Sequence, residues 1–207
     1  MSLNKKRLAD ARLYLILDTQ VANYTRLLAV LKEAVRCGVD IVQLRDKNGR
    51  AKDILRFCQQ AQQVIAGRAL FIVNDRVDLA LCAKADGVHV GQDDLSYQDA
   101  RRLMGKNAII GISCQTLAHA RKAQLDGADY IGFGSVFKTL TKPERNPLNV
   151  NILRQVLLKI KTPTFFIGGI NRSNMHQLTN IGAKRIAVCR DILLAKNPAG
   201  VCKDLLR

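Results

Sequence analysis

Three polar side chains, Gln43, Arg45 and Lys47, alternate at the end of a short apolar run at residues 41–44. If that run is a β-strand, alternate side chains point to the same face of the sheet. An amide and two cations on one face suit a multiply charged phosphate group, because Arg and Lys make charge-assisted hydrogen bonds to phosphate oxygens. The alternative is an ion-paired strand end in which Arg45 or Lys47 contacts Asp46. We favour the phosphate interpretation, since polar groups that point inward lose solvation unless they are used.

Two pairs of hard oxygen donors, Asn74-Asp75 and Asp93-Asp94, follow later apolar runs. Magnesium binds one or two carboxylates, keeps several waters and is completed by substrate phosphates. The pairs therefore suit a magnesium–phosphate site beside the basic residues. The alternative is helix capping. In that case Asn74 or Asp75 caps the start of the helix at Arg76, and Asp94 or Ser96 caps the start of the next helix.

The longest connection, residues 134–149, carries Thr139, Thr141 and Lys142. Long ordered loops in compact domains are often functional lids, and hydroxyls with a lysine could close over an anion. The alternative is a solvated excursion with no role in binding. We expect a lid that excludes water from a bound anion.

The histidines and cysteines carry little chemistry by their pattern. His89 ends an apolar run, and we interpret it as a hydrogen-bonded core residue rather than as an acid or base. His119 and His176 have the spacing of helix-surface residues. The six cysteines form no C-x-x-C pair, so we expect buried free thiols in a reducing compartment rather than disulfides or structural zinc.

Eight short apolar runs alternate with stretches of helical periodicity, which is the pattern of a parallel sheet covered on both faces. The predicted strands are residues 13–17, 41–44, 70–73, 87–90, 108–112, 130–133, 164–167 and 185–188. The predicted helices are residues 24–36, 51–65, 76–83, 97–104, 117–125, 150–159, 174–180 and 198–205.

This alternation predicts an α/β protein with a (β/α)8 TIM barrel in a single domain, residues 1–207; a doubly wound open sheet is the alternative. In such a barrel the polar groups that follow the strands, Ser113 among them, meet at the carboxyl-end rim. Barrels often hold a phosphate between the loops after strands seven and eight, where Gly168-Gly169 and Arg190-Asp191 lie in this sequence.

The charge balance is strongly basic, with 33 Lys and Arg against 17 Asp and Glu and a net charge of +16. Nucleic acid or anionic small molecules could explain it. The basic residues are spread along the chain and there are no Trp, 4 Tyr and 6 Phe, so we do not expect nucleic acid. No apolar run is long enough to span a membrane, and the start is charged. We therefore expect a cytoplasmic protein with no membrane contact.

Seven segments, in this order, resemble the thiamine phosphate synthase family over nearly the whole chain. They are Gln43-x-Arg45-x-Lys47, the run from Phe71 to Asp78, the run from Ala85 to Asp94, Gly111-x-Ser113, Gly127-Ala128-Asp129-Tyr130, Gly134-Ser135-Val136-Phe137 with Thr141-Lys142, and Gly168-Gly169-Ile170. The stretch from Asn74 to Asp94 is the most specific part.

The resemblance implies a (β/α)8 transferase that joins hydroxymethylpyrimidine diphosphate to thiazole phosphate with loss of pyrophosphate. It also implies Mg²⁺ as cofactor, bound by Asp75 and Asp94. It implies catalytic roles for Arg45, Lys47, Ser113 and Lys142. The small phosphorylated substrates would be its partners, and a homo-oligomer is left open.

The resemblance further assigns substrate contacts by motif position. Gln43 and Ser113 would contact the pyrimidine, with Ser113 also near the pyrophosphate. The pyrophosphate would be held by Arg45, Lys47, Asn74 and Lys142. The thiazole phosphate would be held by Thr139, Thr141, Gly169, Cys189 and Arg190.

Three positions depart from the family pattern. Gln115 stands where an aromatic residue or His is usual, Lys138 where Pro is common, and Asp191 where a small residue is usual. These departures bear mainly on the thiazole phosphate contacts. Two alternatives stay open: a thiazole tautomerase-like barrel, which Gln115 and the intact aspartate pair disfavour, and a non-catalytic barrel that binds phosphate or nucleic acid.

Overall fold

The computed structural model describes residues 3–141 and 146–207, in which eight parallel strands close into a barrel in the order β1 to β8. The strands are β1 Leu13–Asp18, β2 Ile41–Arg45, β3 Leu70–Asn74, β4 Gly87–Val90, β5 Ile109–Cys114, β6 Tyr130–Phe133, β7 Thr164–Ile167 and β8 Ile186–Val188. Because β1 pairs with both β2 and β8, the barrel prediction is confirmed and the open sheet is wrong.

Of the described helices, seven lie between successive strands, one precedes β1 and two follow β8. They are α1 Leu3–Asp10, α2 Tyr24–Arg36, α3 Ala51–Ile65, α4 Val77–Cys82, α5 Tyr97–Met104, α6 Leu117–Asp126, α7 Val150–Lys159, α8 His176–Thr179, α9 Arg190–Leu193 and α10 Pro198–Leu206. The predicted strands and helices are all present with small shifts at their ends. Two helices, α1 and α9, were not predicted.

Two apolar clusters hold the layers together. The larger lies between the strands and the surrounding helices, and α3 contributes an apolar stripe that includes Ile54, Phe57, Cys58 and Ala61. None of the described helices is long and apolar enough to cross a bilayer.

The smaller cluster fills the inside of the barrel. Its aromatic members are Tyr14, Tyr130 and Phe165, with Phe165 packed edge-on against both tyrosines. Leu8, the buried residue of α1, joins the same cluster. The helix that the sequence did not predict therefore adds an apolar contact to the barrel interior.

Candidate active site

A cavity of about 540 Å³ lies where the strands end. Its lining includes residues from all eight strands or the loops that follow them. Nine of the predicted site residues line it: Gln43, Arg45, Asn74, Ser113, Thr139, Thr141, Gly169, Cys189 and Arg190. The cavity is thus at the end of the barrel where the sequence predicted the chemistry.

Arg45 reaches the cavity from the end of β2, and its partner is Asp18. The two residues are paired in the β1–β2 register, and Arg45 Nη1 lies 2.8 Å from Asp18 Oδ2. The Asp18 side chain is fully buried and that of Arg45 is 11% exposed. The alternative in which Arg45 or Lys47 contacts Asp46 is wrong, because Asp46 instead accepts from Tyr24 Oη and from the amides of Asn48 and Gly49. Asp18 was not among the predicted site residues.

Lys47 forms an ion pair with Asp75, so one predicted cation and one predicted metal ligand lie together at a rim beside the cavity, whose lining does not include these two residues. Asp75 follows β3 with φ of 59°, in the left-handed region that Asp tolerates better than most residues. Its amide donates to His89 O at 2.8 Å, which ties the loop to β4.

The second carboxylate of this rim, Asp94, lies beside Asp75. Partial burial raises the pKa of Asp94, and a hydrogen bond with Asp75 raises it further, while the amide of Gly91 and the charge of Lys47 act in the opposite direction. Gly91 N donates to Asp94 Oδ2 at 2.7 Å. Two carboxylates that share a site disfavour each other's charge unless a cation lies between them.

The capping alternative is wrong for Asn74, Asp75 and Asp94 and is confirmed only for Ser96. The N-cap of α4 is Arg76, which makes no side-chain cap bond, and Ser96 caps α5 by accepting from Asp99 N. Helix capping therefore does not account for the carboxylates of Asp75 and Asp94.

The aspartate pair fits a magnesium ion by the chemistry of its donors. Two close carboxylates that repel each other are the protein contribution that Mg²⁺ usually takes, with water and substrate phosphate as the other ligands. Among the described residues no group of three or more His, Cys, Asp or Glu is arranged to hold a metal. A pair of carboxylates completed by a phosphorylated substrate remains consistent with that finding.

The opposite side of the cavity is built from the loops after β6, β7 and β8. Thr139 Oγ1 accepts from Thr141 N at 3.2 Å, which shapes the loop after β6. Gly169 has φ of +64°, and a Cβ there would lie 2.4 Å from Lys138 O, so the backbone approach requires glycine. Lys142, the predicted lid residue, lies outside the described residues.

The loop after β8 places Cys189 and Arg190 in the cavity wall. Burial raises the pKa of the Cys189 thiol to about 12, so the thiol stays protonated and lines the wall as a neutral group. Asp191, one of the departures from the family pattern, accepts from Arg172 N at 3.0 Å and from Arg172 Nε at 3.4 Å. Arg172 also lines the cavity and was not predicted.

The base of the cavity carries two tyrosines, Tyr14 and Tyr130, to which the sequence analysis gave no role in the site. Tyr14 Oη and Tyr130 Oη are 2.8 Å apart, and they link Gln43 on one side to His89 on the other. Burial raises the pKa of both phenols, so they are neutral hydrogen-bonding groups. The alternation Tyr14, Ile16, Asp18 along β1 was the available signal, because those three residues share the inner face.

Some of the remaining histidine and cysteine predictions are confirmed and others are wrong. His89 is a buried, hydrogen-bonded residue as expected, but it also lines the cavity. His176 is exposed, whereas His119 is half-buried, and its Nδ1 is buried with no hydrogen-bond partner in the described residues. All six cysteines are free, but only Cys58, Cys114 and Cys202 are buried and Cys82 is exposed.

Comparison with known proteins decides the family. A family model described as thiamine monophosphate synthase matches residues 13–192. The chain is 39% identical to the thiamine-phosphate synthase of Halalkalibacterium halodurans, covering 94% of this chain and 93% of that protein. The chain belongs to the thiamine monophosphate synthase family.

Solved structures of the family have the same architecture. The thiamine phosphate pyrophosphorylase of Pyrococcus furiosus superposes with a TM-score of 0.86 at 32% identity, covering 97% of this chain and 95% of that one. A 3-hexulose-6-phosphate synthase superposes with a TM-score of 0.72 at 17% identity, which shows the shared barrel alone.

Some members of the family are considerably longer than this chain. The thiamine-phosphate synthase of Prochlorococcus marinus (strain MIT 9313) is 44% identical over 98% of this chain. The chain spans only 58% of that relative and 56–59% of the next three.

Proposed function

We propose that this chain is a thiamine phosphate synthase, a transferase that couples hydroxymethylpyrimidine diphosphate with thiazole phosphate to give thiamine phosphate and pyrophosphate. The observation that carries the proposal is the shared rim: Lys47 contacts Asp75, Asp75 contacts Asp94, and Arg45 lines the adjoining cavity. We further propose that residues 1–207 act as a single catalytic domain on these two small phosphorylated substrates.

The reaction breaks the bond between the pyrimidine methylene carbon and the diphosphate oxygen, whose electron pair leaves with the diphosphate. The thiazole nitrogen then forms a bond to that carbon. Charge that develops on the leaving diphosphate is stabilised by fixed cations and donors, which is the largest contribution in many such sites. Arg45, Lys47 and Asn74 would supply them, and Lys142 would close from the loop after β6.

Asp75 and Asp94 would hold Mg²⁺, which when bound adds positive charge against the departing diphosphate. Lys47 would then exchange its ion pair with Asp75 for contact with a diphosphate oxygen. Asp18 would keep the Arg45 guanidinium oriented into the cavity, since their contact is buried.

The two substrates would occupy different sides of the cavity. Gln43 and Ser113 would contact the pyrimidine, with Ser113 also close to the diphosphate. Thr139, Thr141, Gly169, Cys189 and Arg190 would surround the thiazole phosphate, where the positive φ values of Gly168 and Gly169 allow close backbone approach.

A direct assay tests the proposal. Purified chain is mixed with both precursors, and thiamine phosphate and pyrophosphate are measured with and without Mg²⁺. Equal amounts of both products, formed only when both precursors and Mg²⁺ are present, are expected. Interconversion of thiazole phosphate tautomers without coupling would favour the tautomerase alternative. Tight binding of labelled RNA with a steep salt dependence, and no product, would favour the nucleic-acid alternative suggested by the +16 charge.

A further inference from the structure

Exposed leucines collect at the end of the barrel where the strands begin, opposite the cavity. Leu81, Leu103, Leu125 and Leu158 are each the penultimate residue of a helix, in α4, α5, α6 and α7 respectively. Each of these helices runs back along the barrel, so its last turn lies at the strand-start end. With Leu3 of α1 they are 43–85% exposed, and they make up five of the nine large exposed apolar residues in the described parts of the chain.

Helix α1 brings Leu3 to the same end, because its side chains contact the residues that directly precede two strands. Asn4 Nδ2 donates to Asp86 Oδ1 at 2.7 Å, just before β4. Lys5 Nζ lies 2.8 Å from Asp129 Oδ1, just before β6. The helix therefore lies across the strand-start end of the barrel, beside the last turns of α4 to α7.

Lysines follow four of the five leucines at the same spacing. Lys6, Lys84, Lys106 and Lys161 each lie three residues after a leucine, and all four are exposed. The exposed cations of this end are Lys6, Arg12, Arg36, Arg68, Lys84, Lys106, Lys159, Lys161 and Lys184. None of these nine forms an ion pair within residues 3–141 and 146–207. We call the five leucines and these nine cations the basal face.

The carboxylates that begin the even strands do not balance this charge at the surface. Asp40, Asp86 and Asp129 directly precede β2, β4 and β6, and none of them is exposed. Each accepts a hydrogen bond of 2.8–2.9 Å from a backbone amide of the preceding strand in the barrel. The carboxylates thus join neighbouring strands, while the side chains that reach solvent are mostly cationic.

Helix dipoles account for only part of this pattern. Cations near the carboxyl ends of helices are stabilising, but exposed leucines gain nothing from a dipole. A second copy of this chain would bring like charges together, and a nucleic acid would use the cations without the leucines. An anionic bilayer uses both, because leucines enter the boundary between headgroups and acyl chains while lysines stay at the lipid phosphates.

We propose that the basal face binds the surface of an anionic lipid bilayer. The cavity would then face away from the bilayer and stay open to water. The sequence analysis expected no membrane contact because no apolar run could span a bilayer, but surface binding requires no such run. The cations are scattered along the sequence and come together only when the barrel closes. The proposal does not depend on the proposed function.

The first test measures binding of the parent protein to two kinds of vesicle by co-sedimentation. Vesicles of phosphatidylcholine and phosphatidylglycerol in equal parts should bind at least about 10-fold more tightly than vesicles of phosphatidylcholine alone. Binding should weaken as salt is raised, because salt screens exposed charges. Absence of binding, or equal binding to both kinds of vesicle, would overturn the proposal.

The second test separates the apolar and the charged parts of the basal face. Leu103→Ser with Leu158→Ser, and Lys106→Glu with Lys161→Glu, should each weaken binding to the anionic vesicles by at least about 10-fold. The replaced side chains are exposed, so the melting temperature should stay close to that of the parent. Vesicle binding that survives the leucine replacements would contradict insertion into the bilayer.

Matched controls lie on exposed positions away from the basal face. Lys32→Glu with Lys52→Glu reverses the same amount of charge on α2 and α3, and Val150→Ser removes an exposed apolar group at the start of α7. Both controls should bind anionic vesicles nearly as tightly as the parent. An equal loss in the charge control would show that the total charge of +16 attracts the vesicles and that the basal face does not.

The same variants distinguish a bilayer from a nucleic acid. Labelled RNA replaces the vesicles, and binding is measured across a salt series. RNA binding that is tighter than vesicle binding, lost in the lysine variant and kept in the leucine variant would assign the face to nucleic acid and overturn the proposal. None of these measurements uses a substrate, so failure of the proposed function would leave their outcome unchanged.

Discussion

The acidic and basic residues beside the cavity, Lys47, Asp75 and Asp94, differ from the hydrogen-bonded side chains at its base, Gln43, Tyr14, Tyr130 and His89. We call the first group the rim and the second group the inner relay. At the rim, Lys47 and Asp75 are 42% and 16% exposed, and their ion pair faces solvent. In the relay, Tyr14 and Tyr130 are buried and neutral, and each hydroxyl is engaged by relay partners. The rim pairs charged groups in contact with solvent, whereas the relay pairs neutral polar groups away from it.

This difference matches what each region must do in the proposed reaction. Exposed ion pairs contribute about 0–1 kcal/mol, so a diphosphate can displace one at little cost. A buried relay is expensive to rearrange, because an unpaired polar atom costs about 1–3 kcal/mol. The rim therefore suits charge that changes during a reaction, and the relay suits recognition of a group that does not change.

The largest expected effect follows from removing a rim carboxylate. Asp94→Ala should lower Mg²⁺-dependent turnover by at least about 100-fold, because the charge opposite the leaving diphosphate is lost with the metal. Thermal stability without metal should stay the same or rise, since Asp75 loses a repelling neighbour. Initial rates across a Mg²⁺ titration and melting curves in EDTA measure both effects.

The neighbouring Asp93 provides a matched control for that change. Asp93→Ala removes an equal charge one residue away and should leave the Mg²⁺ dependence intact. Unchanged rates for Asp94→Ala at low Mg²⁺ would remove Asp94 from the metal site.

Arg45 and Asp18 lie between the two regions, since they are charged like the rim and buried like the relay. Arg45→Met should destabilise the protein by about 3–5 kcal/mol, because Asp18 is left as an uncompensated buried charge. Urea unfolding measures the loss. The double variant Asp18→Asn with Arg45→Met should recover most of the stability and none of the activity. Recovery of activity in the double variant would show that Arg45 serves the fold and not the substrate.

Lys47 belongs to the exposed part of the rim, so its replacement should lower turnover more than it lowers the stability of the fold. Lys47→Met should lower turnover by about 10-fold while changing the free energy of unfolding by less than about 1 kcal/mol, since an exposed pair adds little stability. Rates and urea unfolding are compared with those of Lys52→Met, which removes an exposed lysine from α3. A stability loss as large as that of Arg45→Met would contradict the distinction between the two pairs.

The sequence predicts the rim, and also Gln43 and His89 of the relay, far better than it predicts the two tyrosines, for a physical reason. Rim residues such as Asp75 and Lys47 follow apolar runs, so the barrel rule alone brings them together. Tyr14 and Tyr130 lie inside strands and look like apolar core, and their hydroxyls meet only when the barrel closes across 116 positions of the chain. Local periodicity contains no information about such a contact.

The missed helices have similar explanations. α1 buries only Leu8, so it shows no apolar stripe, and it is stabilised by packing against the barrel. α9 is 4 residues long, too short for any periodic signal. Asp18 was visible as a polar residue after β1, but its pairing with Arg45 depends on the β1–β2 register.

The smallest expected effect lies on the other side of the cavity, at Arg172. Its guanidinium contacts Asp191 beside the cavity and is 49% exposed, so solvent screens its charge. Arg172→Ala should raise the KM for thiazole phosphate by about 2–5-fold with little change in kcat, as expected for an exposed charge worth under about 1 kcal/mol. Steady-state kinetics at saturating pyrimidine diphosphate measure it, with Arg102→Ala on α5 as the surface control. A fall in kcat as large as that of Lys47→Met would place Arg172 among the groups that act on the leaving diphosphate, and the division between the two sides of the cavity would have to be redrawn.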